Sequence, residues 1–299
     1  MEENDLMERF RYYRETQIWP LAKDLNYEQW LENFSDDEKD IAKRILDFFI
    51  YIPDGFINHM LATVLGKCGH VFKKLLGSWS DDDFKYNCWY SFIPGEEMKP
   101  TDSGYLFNRK LRDKILIPEE KILDFSSLYF KLYKEHNLNV ILVDDFVGSG
   151  HQTTVAWRHN YSFGSLQDIV KVNNHQVIYA PLIVNKIGYD CIKAYCEDLY
   201  LVYLYLLGED YSLFNKDCPC WNGDFDLFQK GTKLIYEKSK TLGIPSTGGG
   251  DVIDLKGYRE QGLAIAFEHG IPDACPPFFY WKTMYWKPLM NKVYNRPKV

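Results

Sequence analysis

The sequence predicts an α/β fold in which a mainly parallel sheet is flanked by helices. From about residue 123 onward, strand-like apolar runs alternate with segments of helical periodicity, which is typical of consecutive βαβ units. The run from Val140 to Val143 is apolar at every position, as expected for a strand that helices cover on both faces. The first 80 or so residues have helical patterns instead, and they predict an N-terminal helical extension.

The composition is that of a globular chain. Of 299 residues, 46% are apolar and 26% are charged, which excludes a disordered or low-complexity protein. The net charge of −7 argues against a general attraction to nucleic acid and leaves room only for a local basic patch. The longest strongly apolar stretch, Leu199 to Leu207, is far shorter than the roughly 20 residues of a membrane span. Because the acidic start also differs from a signal peptide, we expect a cytoplasmic protein without a membrane partner.

Seven cysteines are spread through the chain, and Cys218 with Cys220 comes nearest to a metal-binding motif. A C-x-C pair without a second pair or paired histidines is a weak zinc signal. An odd number of cysteines in a long chain fits a reducing compartment. We therefore expect free thiols and no zinc.

Two helices are predicted within the N-terminal extension. Ser35 to Glu38 forms a capping box, and apolar residues then recur at every fourth position up to Phe49. This helix is predicted to end at Tyr51–Pro53, and a second helix to run from about residue 55 to 76. Residues 79–120 are rich in turn formers and predict strands and loops in place of helices.

The remaining predicted elements follow in the order helix 123–135, strand 139–143, helix from 153, strand 176–184, helix 188–197, strand 199–206, helix 225–240 and strand 262–267. A Pro/Ser/Gly-rich loop over residues 244–250 is interpreted as a mobile connection. Because no long linker is visible, the extension (residues 1–80) and the α/β domain (residues 81–299) are expected to pack as one unit. Aromatic residues make up 16% of the chain, and the segment 278–286 is predicted to form a C-terminal aromatic hood.

The stretch from Val140 to Thr154 carries the most chemical information. A buried strand leads into the adjacent carboxylates Asp144 and Asp145, and a small, glycine-containing loop then opens a helix. Successive backbone N–H groups in such a loop and at a helix N-terminus bind phosphate, and glycine permits the close approach. Paired carboxylates at the carboxyl end of a strand can hold sugar hydroxyls or a hydrated divalent cation. The predicted phosphate-binding residues are Gly148, Ser149, Gly150, His151, Gln152 and Thr153.

Other protein classes also place two acids after a strand. Response-regulator receivers do so in their first strand and without a phosphate loop. A Walker B strand would need a G-x-x-x-x-G-K-[ST] partner, which this chain lacks. Another phosphate- or nucleotide-binding α/β site, and a structural turn with solvated acids, both stay open.

The stretch resembles the 5-phosphoribosyl-1-pyrophosphate (PRPP) signature of type I phosphoribosyltransferases: four apolar residues, two acids, two apolar residues and a small, hydroxyl-bearing loop. Ser149 stands where that family usually has Thr. The resemblance implies that Asp144 and Asp145 are the catalytic acids at the ribose hydroxyls and hold a Mg²⁺ cofactor indirectly. It also implies that the loop wraps the 5′-phosphate. Displacing pyrophosphate from C1 needs charge stabilisation on the leaving group. The nearest basic cluster is Lys99, Arg109, Lys110 and Arg112, and of these Lys99, Arg109 and Arg112 are the predicted pyrophosphate-binding residues.

More distant segments are similar to a bacterial clade of phosphoribosyltransferase-like proteins found in retrons and other anti-phage loci. These segments are Trp30–Phe34, Lys99–Gly104 and Gly257–Phe279, although Asp273-Ala274 stands where the clade commonly has two Asn. The resemblance implies an enzyme, a pentosyltransferase-like toxin effector of antiviral defence. It implies as partners PRPP or a nucleotide-like molecule, and a reverse transcriptase with its RNA–DNA. A homo-oligomer is also open.

Two other functions stay open from the sequence. One is a non-catalytic module that senses a nucleotide or docks a reverse transcriptase. The other is an N-glycosidase-type hydrolase in which water is the acceptor at ribose C1. No residue of the sequence identifies the acceptor.

Overall fold

The computed structural model describes residues 3–95, 103–251 and 253–291. The chain divides into two compact units. We call Gly55–Leu207 the central unit, and Met1–Asp54 together with Gly208–Val299 the terminal unit. The domain boundary that the sequence predicts at residue 80 stays a prediction.

The helices are α1 (Glu3–Glu15), α2 (Tyr27–Leu31), α3 (Asp36–Asp47), α4 (Asp54–Leu76), α5 (Asp81–Tyr86), α6 (Ser103–Lys110), α7 (Phe125–Lys134), α8 (His151–Arg158), α9 (Leu166–Val172), α10 (Lys186–Tyr195) and α11 (Phe225–Thr241). The strands are β1 (Ile50–Ile52), β2 (Cys88–Phe92), β3 (Asn139–Val147), β4 (Asn160–Tyr161), β5 (Gly164–Ser165), β6 (Gln176–Asn185), β7 (Leu199–Leu201), β8 (Tyr205–Leu207) and β9 (Ile265–Phe267). A π-helical turn, Leu111–Ile115, continues α6. No helix within the described ranges is both long and apolar enough to cross a bilayer.

The central unit contains a parallel sheet with the strand order β2-β3-β6-β7, and β8 pairs with β6 further along the same edge. Strand β3 is almost entirely buried, and Val140 lies opposite Val177 of β6. Side chains from α7, α8, α9 and α10 pack with β3 and β6 in one apolar core. The mainly parallel sheet flanked by helices is therefore confirmed.

A proline in β6 divides the neighbouring strand in two. The sequence predicts one strand over residues 199–206, whereas the structure has β7 and β8 separated by residues 202–204. Pro181, which lies at this level of β6, has no N–H to donate to the neighbouring backbone. The separating residues form two backbone hydrogen bonds to β6, from Val202 N–H to Tyr179 O (2.9 Å) and from Leu204 N–H to Leu182 O (3.2 Å).

The prediction for residues 79–120 is wrong in part, because α5 and α6 lie in this region on either side of β2. Helix α5 begins with a capping box. The Ser80 hydroxyl accepts the Asp83 N–H, and the Asp83 carboxylate accepts the Ser80 N–H at 2.7 Å. Three acids in the first turn also suit the positive end of the helix dipole. Residues 96–102 lie outside the described residues.

In the terminal unit, α3 starts at the predicted capping box of Ser35 and Glu38. The predicted helix end at Tyr51–Pro53 is wrong, since Ile50–Ile52 is strand β1. It pairs in parallel with β9, with Ile50 opposite Ile265. This partner is more than 200 residues away in sequence, so local patterns could not have revealed the pairing. The last predicted strand thus lies in a separate two-stranded sheet and is shorter than expected.

The aromatic residues of the terminal unit form its core. The Trp30 ring stacks on Phe279 with centroids 5.7 Å apart and meets Phe34 edge-on at 4.8 Å. Trp286 packs edge-on against Phe34 at 5.5 Å. Such pairs stabilise a core beyond their buried area. The start of the aromatic segment 278–286 is therefore buried packing, and its role as a hood stays a prediction.

Candidate functional site

Strand β3 carries the predicted carboxylate pair inside the sheet. The sequence predicts that the strand ends at Val143, but it continues to Val147, with Asp144 opposite Pro181 of β6. Successive side chains of a strand point to opposite faces. Asp144 therefore shares the face of Val140 and Leu142, which α7 to α10 cover. Its side chain also hydrogen-bonds with that of Asp145, so the two carboxyl groups are direct neighbours.

Asp144 is held by two protein donors. The Tyr179 hydroxyl donates to its Oδ2 at 2.8 Å, and the Asp145 backbone N–H donates to its Oδ1 at 2.9 Å. Thr153, at the start of α8, is buried and hydrogen-bonds to the Tyr179 side chain. Asp144 is itself only 8% exposed. The result is a polar network, Thr153–Tyr179–Asp144, that ties the first turn of α8 to two central strands.

The environment of Asp144 disfavours its charged form. Burial raises the pKa of the Asp144 carboxyl well above its usual range, and the neighbouring Asp145 charge raises it further. The hydrogen bond from Tyr179 acts in the opposite direction but is outweighed. Keeping Asp144 ionised therefore costs the folded protein stability. Groups with such strongly perturbed pKa values cluster at functional sites.

Asp145 is the more accessible of the two acids. Its side chain is half-buried, and its Oδ1 accepts the Phe146 N–H at 2.8 Å. A carboxylate with two oxygens can accept further hydrogen bonds. Of the pair, Asp145 is thus better placed to accept hydrogen bonds from a ligand hydroxyl.

The loop that follows is pressed against the first turn of α10. Gly150 has φ +72°, and a Cβ at this position would lie 2.8 Å from the Gly188 carbonyl oxygen. A Cβ on Gly188 would in turn lie 2.5 Å from the Gly148 carbonyl oxygen. Side chains are thus excluded at both positions by backbone atoms that cannot move aside. This contact fixes the path of the loop.

The start of α8 presents backbone amides. The Thr154 N–H donates to the Gly150 carbonyl at 3.0 Å, so the preceding amides lack an acceptor within the helix. The His151 N–H makes one long hydrogen bond, 3.3 Å, to the Ser149 hydroxyl. Amides at a helix N-terminus, together with the helix dipole, favour a bound phosphate. The geometry therefore suits the function that the sequence predicts for this loop.

The side chains of the loop differ in their surroundings. Gln152 donates from Nε2 to the Ile93 carbonyl at 3.1 Å, beyond the end of β2. Thr154 donates to the Gly150 carbonyl at 2.9 Å and lies 3.4 Å from Cys191 Sγ. These contacts engage the side chains of Gln152 and Thr154 with the protein, and the backbone amides are the candidate anion-binding groups of the loop. We call Asp144, Asp145 and residues 148–153 the loop site.

The predicted pyrophosphate-binding residues have acidic neighbours. Arg112 contacts Asp113 at 2.8 Å and Glu119 at 3.2 Å, and hydrogen bonds and charge from both raise its pKa. Arg109 lies 3.7 Å from Asp113. Both arginines are exposed at the end of α6 and in the π-helical turn, where these acids locally balance their charge. Lys99 lies outside the described residues.

The loop site fits a magnesium ion that a phosphorylated substrate would bring. Mg²⁺ is usually bound by one or two carboxylates together with substrate phosphates, rather than by a cage made only of protein ligands. Asp145 can supply such a carboxylate, whereas both oxygens of Asp144 are already hydrogen-bonded. Within the described part of the chain, no group of three or more His, Cys, Asp or Glu side chains could hold a metal by itself.

Sequence reasoning missed two residues of the loop site's surroundings. Tyr179 lies in the next strand of the sheet, and Gly188 lies in the first turn of a helix. A tyrosine in an otherwise apolar buried strand is a usable signal, since its hydroxyl must find a partner. A glycine in the first turn of a predicted helix is another, because it marks a close approach of backbones.

A comparison with known families places the chain. The PRTase-CE family model matches residues 27–292, which is most of the sequence, and the chain belongs to this family. It is therefore a phosphoribosyltransferase-like protein, in agreement with the resemblance of the loop. No match was found among curated proteins.

Proposed function

We propose that this member of the PRTase-CE family binds PRPP, or a related ribose 5-phosphate, at the loop site and transfers or cleaves at ribose C1. The observation that carries the proposal is the backbone contact between Gly150 and Gly188. It holds the amides at the start of α8 in place directly after a strand that carries two acids. A phosphate site and a hydroxyl-binding carboxylate are thus built by neighbouring residues of one rigid element.

Each residue of the loop site has a distinct part in this proposal. The amides of residues 150–153 bind the 5′-phosphate, and the Asp145 carboxylate accepts hydrogen bonds from the ribose hydroxyls. Asp144 is a positioning residue, because it holds the Asp145 backbone and, through Tyr179, the first turn of α8. Bound Mg²⁺ would supply charge neutralisation at the leaving pyrophosphate. Asp145 is the residue that would help to hold it.

The biological part of the proposal depends on the resemblance of the distant segments. We propose that the protein is a cytoplasmic effector of an anti-phage system, with a reverse transcriptase and its RNA–DNA as the partner. A plaque assay in cells that carry the native gene neighbourhood tests this. Phage protection should be lost with Asp145→Asn and kept with Asp217→Asn, which changes an exposed acid of the terminal unit. Equal protection by both variants would contradict the proposal.

Titration calorimetry with PRPP and Mg²⁺ tests the site. Wild type should bind, and Asp145→Asn should weaken binding by about tenfold or more, because charge-assisted hydrogen bonds are lost. Asp217→Asn is the matched control and should bind as wild type does. Absence of PRPP binding to the wild type would overturn the proposed function.

A non-catalytic sensing module is the second candidate, and two observations favour it. Both oxygens of Asp144 are occupied by protein donors, and the arginines near α6 are balanced by Asp113 and Glu119. Release of pyrophosphate from PRPP distinguishes the candidates. Binding without release selects the sensing module, whereas release of a base from nucleotides without any pyrophosphate selects the hydrolase.

A further inference from the structure

The terminal unit contains a pocket with a cationic lining. It has a volume of about 470 Å³ and lies between the segment around α2 and the segment 282–291. Its lining residues are Ala22, Lys23, Asn26, Gln29, Lys282, Thr283, Met284, Trp286, Lys287, Pro288, Leu289 and Asn291. This set contains three lysines and no acid. The pocket is thus a local positive region on a chain whose net charge is −7.

The walls of the pocket are joined by backbone hydrogen bonds. The Asn26 N–H donates to the Leu289 carbonyl at 2.8 Å, and Leu25 forms an antiparallel bridge with Met290. The Asn33 side chain donates to the Lys287 carbonyl at 2.8 Å and accepts the Lys287 N–H at 3.0 Å. The pocket is therefore a preformed feature of the unit and does not depend on side-chain packing alone.

Two of the three lysines lack an ion-pair partner within the described ranges. Lys287 forms an ion pair with Glu32. Lys23 and Lys282 are exposed and make no ion pair with any residue that the structure describes. Two ammonium groups beside one pocket, without an ion-pair partner among the described residues, favour an anionic ligand. The reason is that hydrogen bonds between two charged groups are stronger than those to a neutral acceptor.

The pocket also offers uncharged groups. Asn26, Gln29 and Asn291 line it, and amide side chains can donate and accept hydrogen bonds. The Oδ1 of Asn26 already accepts the Gln29 N–H at the start of α2. The indole Nε1 of Trp286 is buried and has no acceptor among the described residues. A buried donor without an acceptor costs free energy.

A methionine and a tyrosine side chain lie at or beside the pocket. Met284, which lines it, is 90% exposed, and its neighbour Tyr285 is 88% exposed. Aromatic side chains beside lysines are the usual combination for holding a nucleobase next to phosphate. The volume lies within the range of small-molecule pockets, which suits a single nucleotide better than an extended peptide.

We propose that this pocket is a nucleotide-binding site: Lys23 and Lys282 contact the phosphates, and the amides with Tyr285 contact the sugar and base. This site shares no residue with the loop site. The inference does not depend on the proposed function, because a nucleotide could bind here whether or not the loop site acts on PRPP.

Titration calorimetry with ATP, AMP, adenosine and inorganic triphosphate tests this site on the full chain. The background is Asp145→Asn, which weakens binding at the loop site, and all variants are compared within this background so that any remaining binding there is common to them. Affinity should rise with phosphate number and fall with added salt. Replacing both lysines, Lys23→Glu with Lys282→Glu, should weaken ATP binding by about tenfold or more. Lys216→Glu with Lys230→Glu, which changes two exposed lysines of the same unit by the same charge, should bind as the parent does.

Circular dichroism and thermal unfolding confirm that each variant is folded. Equal ATP affinity in the pocket variant and the control variant would overturn the proposal. A second readout is the indole ¹⁵N–¹H signal of Trp286, assigned from its loss in Trp286→Phe. This signal should shift when AMP is added and stay unshifted with adenosine. Preference for an acidic peptide such as oligoglutamate over ATP would also overturn the proposal, since it would identify a protein partner.

Discussion

Two glycine-containing loops, one in each unit, lie beside a buried aspartate, and they treat that aspartate in opposite ways. In the central unit, Asp144 precedes the loop at Gly148–Gly150 and has a raised pKa. In the terminal unit, Asp254 follows the loop at 244–250 and has a lowered pKa. Burial raises the pKa in both cases. The neighbouring Asp145 raises the pKa of Asp144 further, whereas hydrogen bonds outweigh burial at Asp254.

Asp254 is surrounded by donors from its own loop. Its Oδ2 accepts the Thr247 N–H at 2.5 Å and the Thr247 hydroxyl at 3.0 Å, and its Oδ1 accepts the Lys256 N–H at 2.9 Å. These bonds, with one from the Gly249 N–H, outweigh burial. Donors of Thr247 and Gly249 are thus satisfied internally, so the segment interpreted from sequence as a mobile connection is organised around a carboxylate. A glycine-rich loop is thus available to an external anion when no carboxylate of the protein accepts hydrogen bonds from its backbone amides.

Removing Asp254 should have the largest effect on stability. Asp254→Ala leaves several buried donors without an acceptor, and we expect the free energy of unfolding to fall by about 3 kcal/mol. Urea denaturation at neutral pH measures this change. Asp251→Ala, an exposed acid of the same loop, should change stability by less than about 0.5 kcal/mol. Similar losses of stability in the two variants would contradict the role of Asp254 as the acceptor that organises this loop.

A methyl group at Gly188 should have the second-largest effect, because it disturbs the loop site. Gly188→Ala places a Cβ 2.5 Å from the Gly148 carbonyl oxygen, so the loop must move. We expect a loss of about 2 kcal/mol in stability and about tenfold or more in PRPP affinity. Gly66→Ala is the matched control, because it also lies within a helix but has nothing within 4 Å of the added atom. The control should be as stable as wild type or more so, by up to about 1 kcal/mol.

The pH dependence of stability should differ in sign between the two aspartates. A carboxyl with a raised folded-state pKa contributes stability that is present below its unfolded pKa, about 4, and is lost as pH rises through the folded value. Wild type should therefore lose stability relative to Asp144→Asn as pH rises above about 4, by about 1.4 kcal/mol for each unit of pKa elevation. Unfolding curves from pH 4 to pH 8 measure the difference. A constant difference across this range would show that Asp144 is not perturbed.

Asp254 should show the opposite trend. Its folded-state pKa is lowered, so its contribution is present above the unfolded value, about 4, and is lost as pH falls through the folded value. Wild type should lose stability relative to Asp254→Asn below about pH 4. Because the contribution is lost only over a narrow pH range, we expect this change in stability to be smaller than those of Asp254→Ala, Gly188→Ala and Asp144→Asn. Parallel pH profiles for the Asp144→Asn and Asp254→Asn variants would contradict the distinction drawn between the loops.

Much of the fold was predictable because it depends on residues close in sequence. The capping box at Ser35 and the buried apolar strand from Val140 are recognisable within a few residues, since helix hydrogen bonds and side-chain periodicity are local. The pairing of β1 with β9 and the division made by Pro181 join distant segments. Such pairings leave little trace in local composition, so sequence reasoning assigned Ile50–Ile52 to a helix.

The loop site was predictable to a similar degree. Asp144, Asp145 and the glycine loop stand in one continuous motif, and the family match agrees with the motif. The donors and packing partners of that motif come from elsewhere. Arg112 and Asp113 are adjacent opposite charges in the sequence. Their ion pair, which partly balances the charge of the basic cluster, was therefore predictable.

The α/β class, the order of most elements and the position of the proposed phosphate-binding loop follow from the sequence alone. Only the tertiary structure decided which aspartate is accessible and which is held by Tyr179, and which glycine loop has its amides satisfied from within. The physical reason is that local hydrogen bonds and apolar periodicity are encoded by neighbouring residues. The pKa of a carboxylate, in contrast, depends on burial and on donors, which distant strands and helices can supply.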